Sequence, residues 1–340
     1  MTDPLARYHR QTIFHGIGQA GQQKLLAAKV VVIGCGATGT VIANHLARAG
    51  IGELVLVDRD FIELNNLQRQ MLFDEHDLHA ALPKAIAAEQ KLRAINSDIT
   101  VRGIVAYVTA ENIEQLIDGA TLVMDGSDNF ETRYLLNDAC IKLDIPWIYT
   151  GAVSGYGMSQ TIIPGETPCL RCVFPDVPPP GTSPTCDTAG VVGPVVGAVA
   201  SVSATEAIKL LVGQGELNRG IIHLDLWDLS LEQFPTGSPR PDCPACGRHR
   251  FDFLENETGT SAFSLCGRNA VQIRGHRVAL DTIAAQVKNV ATITASNDFL
   301  LRFSVPPAYE ITLFADGRAI IKGTDEESVA RGLYSKYIGA

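Results

Sequence analysis

The 340-residue chain predicts a Rossmann-like doubly wound α/β sheet, parallel in its N-terminal half with an antiparallel extension, plus a small C-terminal α+β domain. Three observations lead there. Short β-branched runs alternate with helical patterns as far as Ala152, and a glycine-rich turn joins the first run to the first helix. From Met158 onward the apolar runs are no longer separated one by one by helices. Alternation implies parallel strands with helices on both faces, and its loss implies antiparallel pairing.

Taken in order, Lys29–Gly34 (KVVVIG) reads as a buried strand, Thr40–Ala49 as a helix and Glu53–Asp58 (ELVLVD) as a second strand, which together form a βαβ unit. Further strands are expected at Ile99–Val108, Thr121–Asp125 and Trp147–Ala152, then at Met158–Ile163, Ile221–Trp227 and Leu231–Phe234. The stretch VVGPVVGAVASVSA from Val191 is broken by Gly, Pro and Ser. It is too short to span a bilayer and reads as the start of a buried helix. PDVPPPGTSP, from Pro175 to Pro184, can form neither helix nor central strand; it is expected to be a mobile crossing loop or a plain surface linker. A composition shift at ENETGTSA, from Glu255, divides the chain into domains over 1–255 and 262–340. In the second, a helix is expected at Ala279–Lys288, then a hairpin (YEITLFADGRAIIKG) turning at Asp316-Gly317 by the type I′ signal, then a helix over Glu326–Tyr337.

Composition bounds the function. Nearly half of the residues are apolar and the formal net charge is -9, which describes a globular protein and argues against a nucleic-acid partner, since phosphate backbones require clustered Lys and Arg. It does not argue against an acidic small molecule, because one basic pocket can operate inside an acidic protein. The first ten residues, MTDPLARYHR, lack the apolar core of a signal peptide, so no membrane association is expected. Four of the eight cysteines form two Cys-x-x-Cys pairs, which favours a metal site in a reducing compartment, the cytoplasm, over a secreted disulfide framework.

The turn Gly34-Cys-Gly36-Ala-Thr-Gly39 follows a strand and opens a helix, and Asp58 closes the next strand. Glycines let a backbone approach phosphate oxygens, the helix N-terminus favours their charge, and Asp58 can accept from ribose hydroxyls. On these residues alone a nicotinamide-dependent oxidoreductase is the leading reading. The next segment shifts it. Asp58-Arg-Asp60-Phe-Ile-Glu-Leu-Asn65-Asn66-Leu-Gln68-Arg69-Gln70 crowds carboxylates, amides and guanidinium groups beside the ribose position, and Lys84 follows from the next helical region. A flat nicotinamide pocket has no use for that cluster; a triphosphate attacked at its α-phosphorus does. Asn66 and Arg69 can hold phosphate oxygens, and Lys84 can balance charge as pyrophosphate leaves. Taken singly, Arg69 and Lys84 also fit solvated helix charges. Asp128 follows the Thr121–Asp125 strand at the sheet's carboxyl edge, where it fits a Mg²⁺ ligand beside phosphates or the N-cap of a helix with Glu131 at N3.

Cys169-Leu-Arg-Cys172 and Cys243-Pro-Ala-Cys246 supply four thiolates, the number that a closed tetrahedral zinc site requires. A redox Cys-x-x-Cys and incidental thiols are the alternatives. Cys186 lies outside both pairs, just after the proline-rich segment. It is either a loop residue or a thiol able to take up an acyl group or join a persulfide or disulfide. Cys35 reads as packing in the glycine turn and Cys140 as core, and Cys266 has no assigned role.

These motifs recur together in one family. Arg7-Tyr-His-Arg10-Gln11, GCGATG, the DRDFIELNNLQRQ run, Ser127-Asp128-Asn129 with Arg133 and Asn137, both Cys-x-x-Cys pairs and the segment from Thr185 through Pro194 make residues 5–250 resemble the ThiF and MoeB adenylyltransferases, relatives of ubiquitin-activating enzymes. The long gap between the cysteine pairs matches that family's spacing. The resemblance implies a MgATP site with Gly36 and Gly39 at the phosphates, Asp58 at the ribose, Asn66, Arg69 and Lys84 at the triphosphate, and Asp128 at Mg²⁺; Gly34, Asp60 and Gln70 complete the set. It also implies a homodimer in which Arg10 reaches into the partner's active site. Thr38 departs from the further glycine common in relatives, and a threonine fits a helix N-terminus.

The expected reaction is attack by the C-terminal glycine carboxylate of a small ubiquitin-like sulfur-carrier protein on ATP, with Arg69, Lys84, Asp128, Arg10 and Cys186 as the reactive set. The segment from Cys186 looks closer to ThiF than to MoeB, and the extra domain resembles the longer bacterial ThiF type. Both favour the thiamine-thiazole carrier, with the molybdopterin carrier as the second reading. A noncatalytic carrier-binding scaffold is a third. No role for the C-terminal unit follows from the sequence.

Overall fold

The computed structural model describes residues 5–178, 186–255, 262–265, 269–273 and 275–339. It divides into two compact units, Met1–Glu257 and Thr258–Ala340. Residues 179–184 of the proline-rich segment, Thr185, most of the inter-unit stretch and Cys266 lie outside the described residues.

In the first unit eight strands form one sheet: β1 (Lys29–Ile33), β2 (Glu53–Asp58), β3 (Thr100–Val105), β4 (Leu122–Asp125), β5 (Trp147–Val153), β6 (Tyr156–Ile162), β7 (Gly220–Asp225) and β8 (Ser230–Pro235). Their order is β3-β2-β1-β4-β5-β6-β7-β8. The first five pair in parallel, with Val31 opposite both Val55 and Val123. The last three are antiparallel, continuing from β5. The expected switch from parallel to antiparallel pairing therefore falls between β5 and β6.

The residues of β1 explain the layering. Val30 and Val32 join one core with Ile42, Leu46 and Leu92, while Val31 and Ile33 join the other with Leu136 and Trp147. A strand buried on both faces must be apolar at every position, hence VVVI rather than an alternating pattern. The order reverses between β1 and β4, so the carboxyl ends of those two strands flank the crevice of the sheet.

The apolar stretch from Val191 becomes the helix Gly193–Val212, closed by Gly213 in the left-handed region. The expectation that it is too short for a membrane fails on length, since the helix is 20 residues and long and apolar enough to cross one by length and composition alone. Half of its apolar window is buried inside the protein, where the helix packs on β5, β6 and the Ala37–Ala49 helix. Its two buried polar residues, Ser203 and Glu206, have partners. The Ser203 hydroxyl lies 2.8 Å from the hydroxyls of both Thr150 and Ser159. Buried Glu206 accepts from the Asn218 amide at 2.7 Å and the Thr161 hydroxyl at 3.2 Å. Such satisfied polar groups belong to a core helix of a folded domain.

The second unit holds a wholly antiparallel sheet of β9 (Ala262–Leu265), β10 (Ala270–Ile273), β11 (Thr292–Ser296), β12 (Leu300–Val305), β13 (Tyr309–Phe314) and β14 (Ala319–Lys322), in the order β11-β12-β13-β14-β10-β9. Two helices, Leu280–Val287 and Glu327–Tyr337, fall within a residue of the expected bounds. Their inward residues Ile283 and Ala330 share a core with Phe303, Leu313 and Ile321. The β13–β14 hairpin forms, but its turn is not type I′. Gly317 has φ +88 whereas Asp316 is absent from the positive-φ positions. The Gly317 amide donates to the Phe314 carbonyl (2.9 Å) and the Phe314 amide to that of Arg318 (2.8 Å). These bonds define a three-residue loop with a left-handed third residue, the second common hairpin geometry. A Cβ on Gly317 would stand 1.8 Å from the His276 carbonyl oxygen. We therefore expect Gly317→Ala to cost this unit about 2–3 kcal/mol, read as an earlier transition in calorimetric or urea unfolding of the full chain.

Candidate functional site

The glycine turn is built by interlocking backbones. After β1, Gly34 takes φ +96, its amide donates to the Val57 carbonyl at 2.8 Å, and the helix Ala37–Ala49 starts at once, three residues earlier than expected. Across the crevice, Gly126 follows β4. A Cβ on Gly34 would lie 2.5 Å from the Gly126 oxygen, and one on Gly126 would lie 2.4 Å from the Gly34 oxygen. Gly39 is equally enclosed, since its Cβ would fall 1.9 Å from the Gly34 oxygen. Gly36 differs: within 4 Å its Cβ would meet only the Gly126 oxygen, at 3.7 Å. Gly34 and Gly39 are thus glycines for packing, and Gly36 is the one whose missing side chain leaves room above the helix N-terminus.

Asp58 ends β2 and bridges two segments. One carboxylate oxygen accepts from the Cys35 amide and the other from the Asp60 amide, both at 2.6 Å. Burial pushes its pKa up, and Lys84 opposes the rise. Burial likewise pushes the Cys35 thiol well up, consistent with a packing role for that residue. The Lys84 amide donates to the Asp60 carbonyl at 2.8 Å, and its Nζ lies 3.6 Å from an Asp60 carboxylate oxygen. Lys84 begins the helix Lys84–Ile95 and its side chain is 9% exposed. That overturns its reading as a solvated helix charge: the buried ammonium pairs with Asp60 and acts electrostatically on Asp58.

The other members of the run are distributed unequally. Asn66 is buried; its Oδ1 accepts from the Glu63 amide at 3.1 Å and its Nδ2 donates to Asn65 Oδ1 at 3.1 Å. Its amide shapes the short turn Leu64–Asn66 from which Arg69 projects. Arg69 is half-buried and donates to the Asn65 carbonyl at 2.8 Å. Buried Gln70 leaves its Oε1 without a hydrogen-bond partner. The start of the Gly193–Val212 helix packs on this turn, with a Cβ on Gly193 placed 3.1 Å from the Gln68 oxygen.

Past β4, the N-cap of the helix Phe130–Lys142 is Asn129, whose side chain accepts from the Thr132 amide at 2.8 Å. The capping reading of Asp128 is thereby corrected: its carboxylate is exposed beside Gly126 and contacts the Asn129 side chain at 3.3 Å. Two buried residues hold the loop beneath it. Asp125 Oδ1 accepts from the Ser127 amide (2.9 Å) and hydroxyl (2.6 Å), and its Oδ2 accepts from Arg133 Nε at 3.0 Å. Arg133 Nη2 donates to the Ser127 carbonyl at 2.8 Å, with the guanidinium over the Tyr149 ring. From the sequence, Arg133 stands only within a motif and Asp125 only as the end of a strand. A charged residue closing an apolar strand, with an arginine eight positions on, is the signal that was there.

The four paired cysteines converge. Sγ distances are 3.9 Å for Cys169–Cys172, 3.6 Å for Cys169–Cys243 and 3.3 Å for Cys172–Cys246, and all four lie within 4.8 Å of one another. Four Zn–S bonds of about 2.3 Å in a tetrahedron put sulfurs roughly 3.8 Å apart, so the cluster has the donors and the spacing to hold zinc. Mutual hydrogen bonding divides the thiols: Cys172 is drawn down to about 6, first by its bond with Cys169, and Cys243 is also lowered. Cys169 and Cys246 are raised. Binding a dication there would release the protons that the raised thiols still hold. Its surroundings are braced by Arg171, which bonds Asp138 at 3.2 Å and Asp252 at 2.8 Å.

Cys186 is a half-buried residue at the start of a short helix, with its thiol 3.6 Å from the Ala152 carbonyl near the carboxyl end of β5. This corrects its reading as a loop residue. Arg10 is exposed on the helix His9–Ile13. Its neighbours are anchored: Tyr8 OH accepts from Asn96 at 3.0 Å, and Gln11 Nε2 donates to the Ala49 carbonyl at 2.9 Å.

An α/β sheet with a glycine turn at its switch point and a four-thiol cluster beside its antiparallel half is the class of protein these features define. The ThiF family model matches residues 8–245, and the chain belongs to that family. It is 44% identical to the sulfur carrier protein ThiS adenylyltransferase of Bacillus subtilis (strain 168), over 98% of this chain and 99% of that protein. It is 40% identical to the sulfur carrier protein ThiS adenylyltransferase of Escherichia coli (strain K12), over 72% of this chain and 96% of that one. Among solved structures it is similar to E. coli MccB crystallised with ATP, with a TM-score of 0.62 and 26% identity, over 72% of this chain and 75% of that one.

The glycines make a contrast that can be measured. Gly39→Ala is expected to cost about 3 kcal/mol, roughly 10 °C in melting temperature for a unit of this size. Gly36→Ala is expected to leave the melting temperature unchanged, because its Cβ meets no close atom. Equal melting temperatures for the two variants would contradict the interlock.

Proposed function

We propose that this chain uses ATP to adenylate the C-terminal carboxylate of a ThiS-type sulfur-carrier protein. The single observation that carries the reading is the open Gly36 position beside buried Lys84 and exposed Asp128, in a chain of the ThiF family whose relatives bear that activity in their names. The phosphates would lie over Gly36 at the N-terminus of the Ala37–Ala49 helix, where free amides and the helix dipole favour anions. Asp58 would hold the ribose, and Lys84 and Arg69 the triphosphate. In the reaction a carboxylate oxygen bonds to the α-phosphorus and the bond from that phosphorus to the bridging oxygen breaks, releasing pyrophosphate and leaving the acyl-adenylate. A carboxylate is already nucleophilic, so the chain need only position the ends and neutralise the leaving charge. Mg²⁺ on Asp128 would supply further charge neutralisation.

A protein substrate is supported by the edge of the sheet. Along β8 and the turn before it, Trp227, Leu229 and Leu231 are 78%, 86% and 67% exposed, an apolar row on an edge strand that a carrier domain could cover. Cys186 would serve a later step, its thiolate displacing AMP from the acyl-adenylate to form a thioester. Zinc at the four thiols would be structural, since sulfur fills every tetrahedral position. The described cysteines are free thiols, which supports a cytoplasmic setting.

Arg10 supports a homodimer. Its segment is tied by Gln11 to Ala49, at the opposite end of a 13-residue helix from Gly36. At about 1.5 Å per residue that is roughly 20 Å from the glycine turn of its own subunit, so a role for Arg10 in the chemistry requires a second copy.

Lys84→Ala and Arg69→Ala are expected to abolish carrier-dependent ATP–pyrophosphate exchange while keeping zinc content, and Cys186→Ser to retain exchange within about twofold. Full exchange in both of the first two variants would end the assignment. Mixing Arg10→Ala with Lys84→Ala subunits should restore about a quarter of the wild-type rate if the arginine acts across the dimer, and none if it acts within one subunit. Cys243→Ser should bring zinc, measured by atomic emission, from about one per chain to none and lower the melting temperature.

A further inference from the structure

The geometry points to Arg133, acting with Asp125 and Ser127, as the positioning residue that sets the Asp128 carboxylate for its divalent cation, an inference that rests on the metal role proposed for Asp128. Ser127 has three polar main-chain and side-chain groups, and each is held by a buried charge. Its amide and hydroxyl donate to Asp125 Oδ1, and its carbonyl accepts from Arg133 Nη2. The two charges hold each other through Arg133 Nε and Asp125 Oδ2. They are also fixed to β5, where the Thr150 amide lies 3.4 Å from Asp125 Oδ2 and the Thr150 carbonyl 3.3 Å from Arg133 Nη2. The guanidinium is confined between the Tyr149 ring (5.0 Å) and the Phe130 ring (5.5 Å). On the other side, Gly126 is wedged against Gly34 and Gly39. Asp128 therefore leaves a residue with no remaining freedom, although its own side chain is exposed.

Energetics favours this role over a purely stabilising one. A buried ion pair gains little over apolar groups of the same volume, because desolvation offsets the attraction. What it supplies here is direction: a planar fork that reaches a neighbouring carboxylate and two carbonyls at once, which a lysine cannot reproduce. A carboxylate that binds a hard cation with few protein ligands depends on such fixed placement, since a shift of about 1 Å in a supporting shell is enough to impair a site.

The test measures ATP–pyrophosphate exchange against Mg²⁺ concentration for Arg133→Lys, Ser127→Ala and Asp128→Ala, with zinc content and melting temperature recorded for each. Arg133→Lys is expected to raise the half-saturating Mg²⁺ about tenfold and lower kcat by a similar factor, leaving the KM for the carrier unchanged. Ser127→Ala, which removes one hydroxyl and leaves the pair intact, is expected to shift the same Mg²⁺ parameter two- to threefold. A wild-type Mg²⁺ dependence in Ser127→Ala, or in folded Arg133→Lys, overturns the positioning role while Asp128→Ala still shifts it. A wild-type dependence in Asp128→Ala overturns the metal role itself.

Discussion

The first unit depends on one close approach: the backbone after β1 against the backbone after β4, glycine to glycine, at a distance no side chain tolerates. Those two strands flank the point where the sheet order reverses, and every element of the proposed site is referenced to them. Gly34 and Gly39 hold the turn to Gly126, so the helix N-terminus above Gly36 and the carboxylate of Asp128 are fixed relative to each other. The crevice is set by backbone contact, which admits little drift, while the charged side chains around it supply the chemistry.

Around that contact the buried charges are hydrogen-bonded or paired rather than isolated. Asp58 ties the glycine turn to the segment after β2, Asp125 and Arg133 tie the loop after β4 to β5, and Thr150 passes the connection to Ser203 of the long apolar helix. The same helix begins on the backbone of Gln68, so the nucleotide-side run and the antiparallel half of the sheet share one support. On the far side, Tyr134 OH lies 2.8 Å from the carbonyls of both Phe174 and Asp176, which fastens the start of the proline-rich segment to the helix that follows Asp128. Burial pushes that phenol up to about 12.

Much of this was legible in the sequence. The βαβ start follows from short apolar runs joined by a glycine-rich turn, the parallel-to-antiparallel change from the loss of intervening helices, the two C-terminal helices from apolar period, and the thiols from their grouping as two Cys-x-x-Cys pairs. What escaped did so for physical reasons. The strand β11 has a mostly exposed sequence, TITAS, and a bulge between Ile293 and Ala295, so neither alternation nor burial marks it. The hairpin turn follows Asp-Gly in sequence, yet register places three residues in the loop, and register is a property of both strands together. Gly36 and Gly39 look alike in a motif but differ in what surrounds them, which only tertiary packing decides. Lys84 reads as a surface helix residue until the segment carrying Asp60 folds over it.

The thiol cluster has a consequence in the language of polymers. Cys169 and Cys243 are 74 positions apart, and the chain between them contains the long apolar helix, β7 and β8. A metal joining the pairs closes that chain into a ring. By the loop-entropy relation used for covalent cross-links, a ring of that length removes on the order of 4 kcal/mol of freedom from the unfolded ensemble. The edge strand with its exposed apolar row lies inside that ring, so its chain would have fewer conformations to gain when the unit unfolds as a whole.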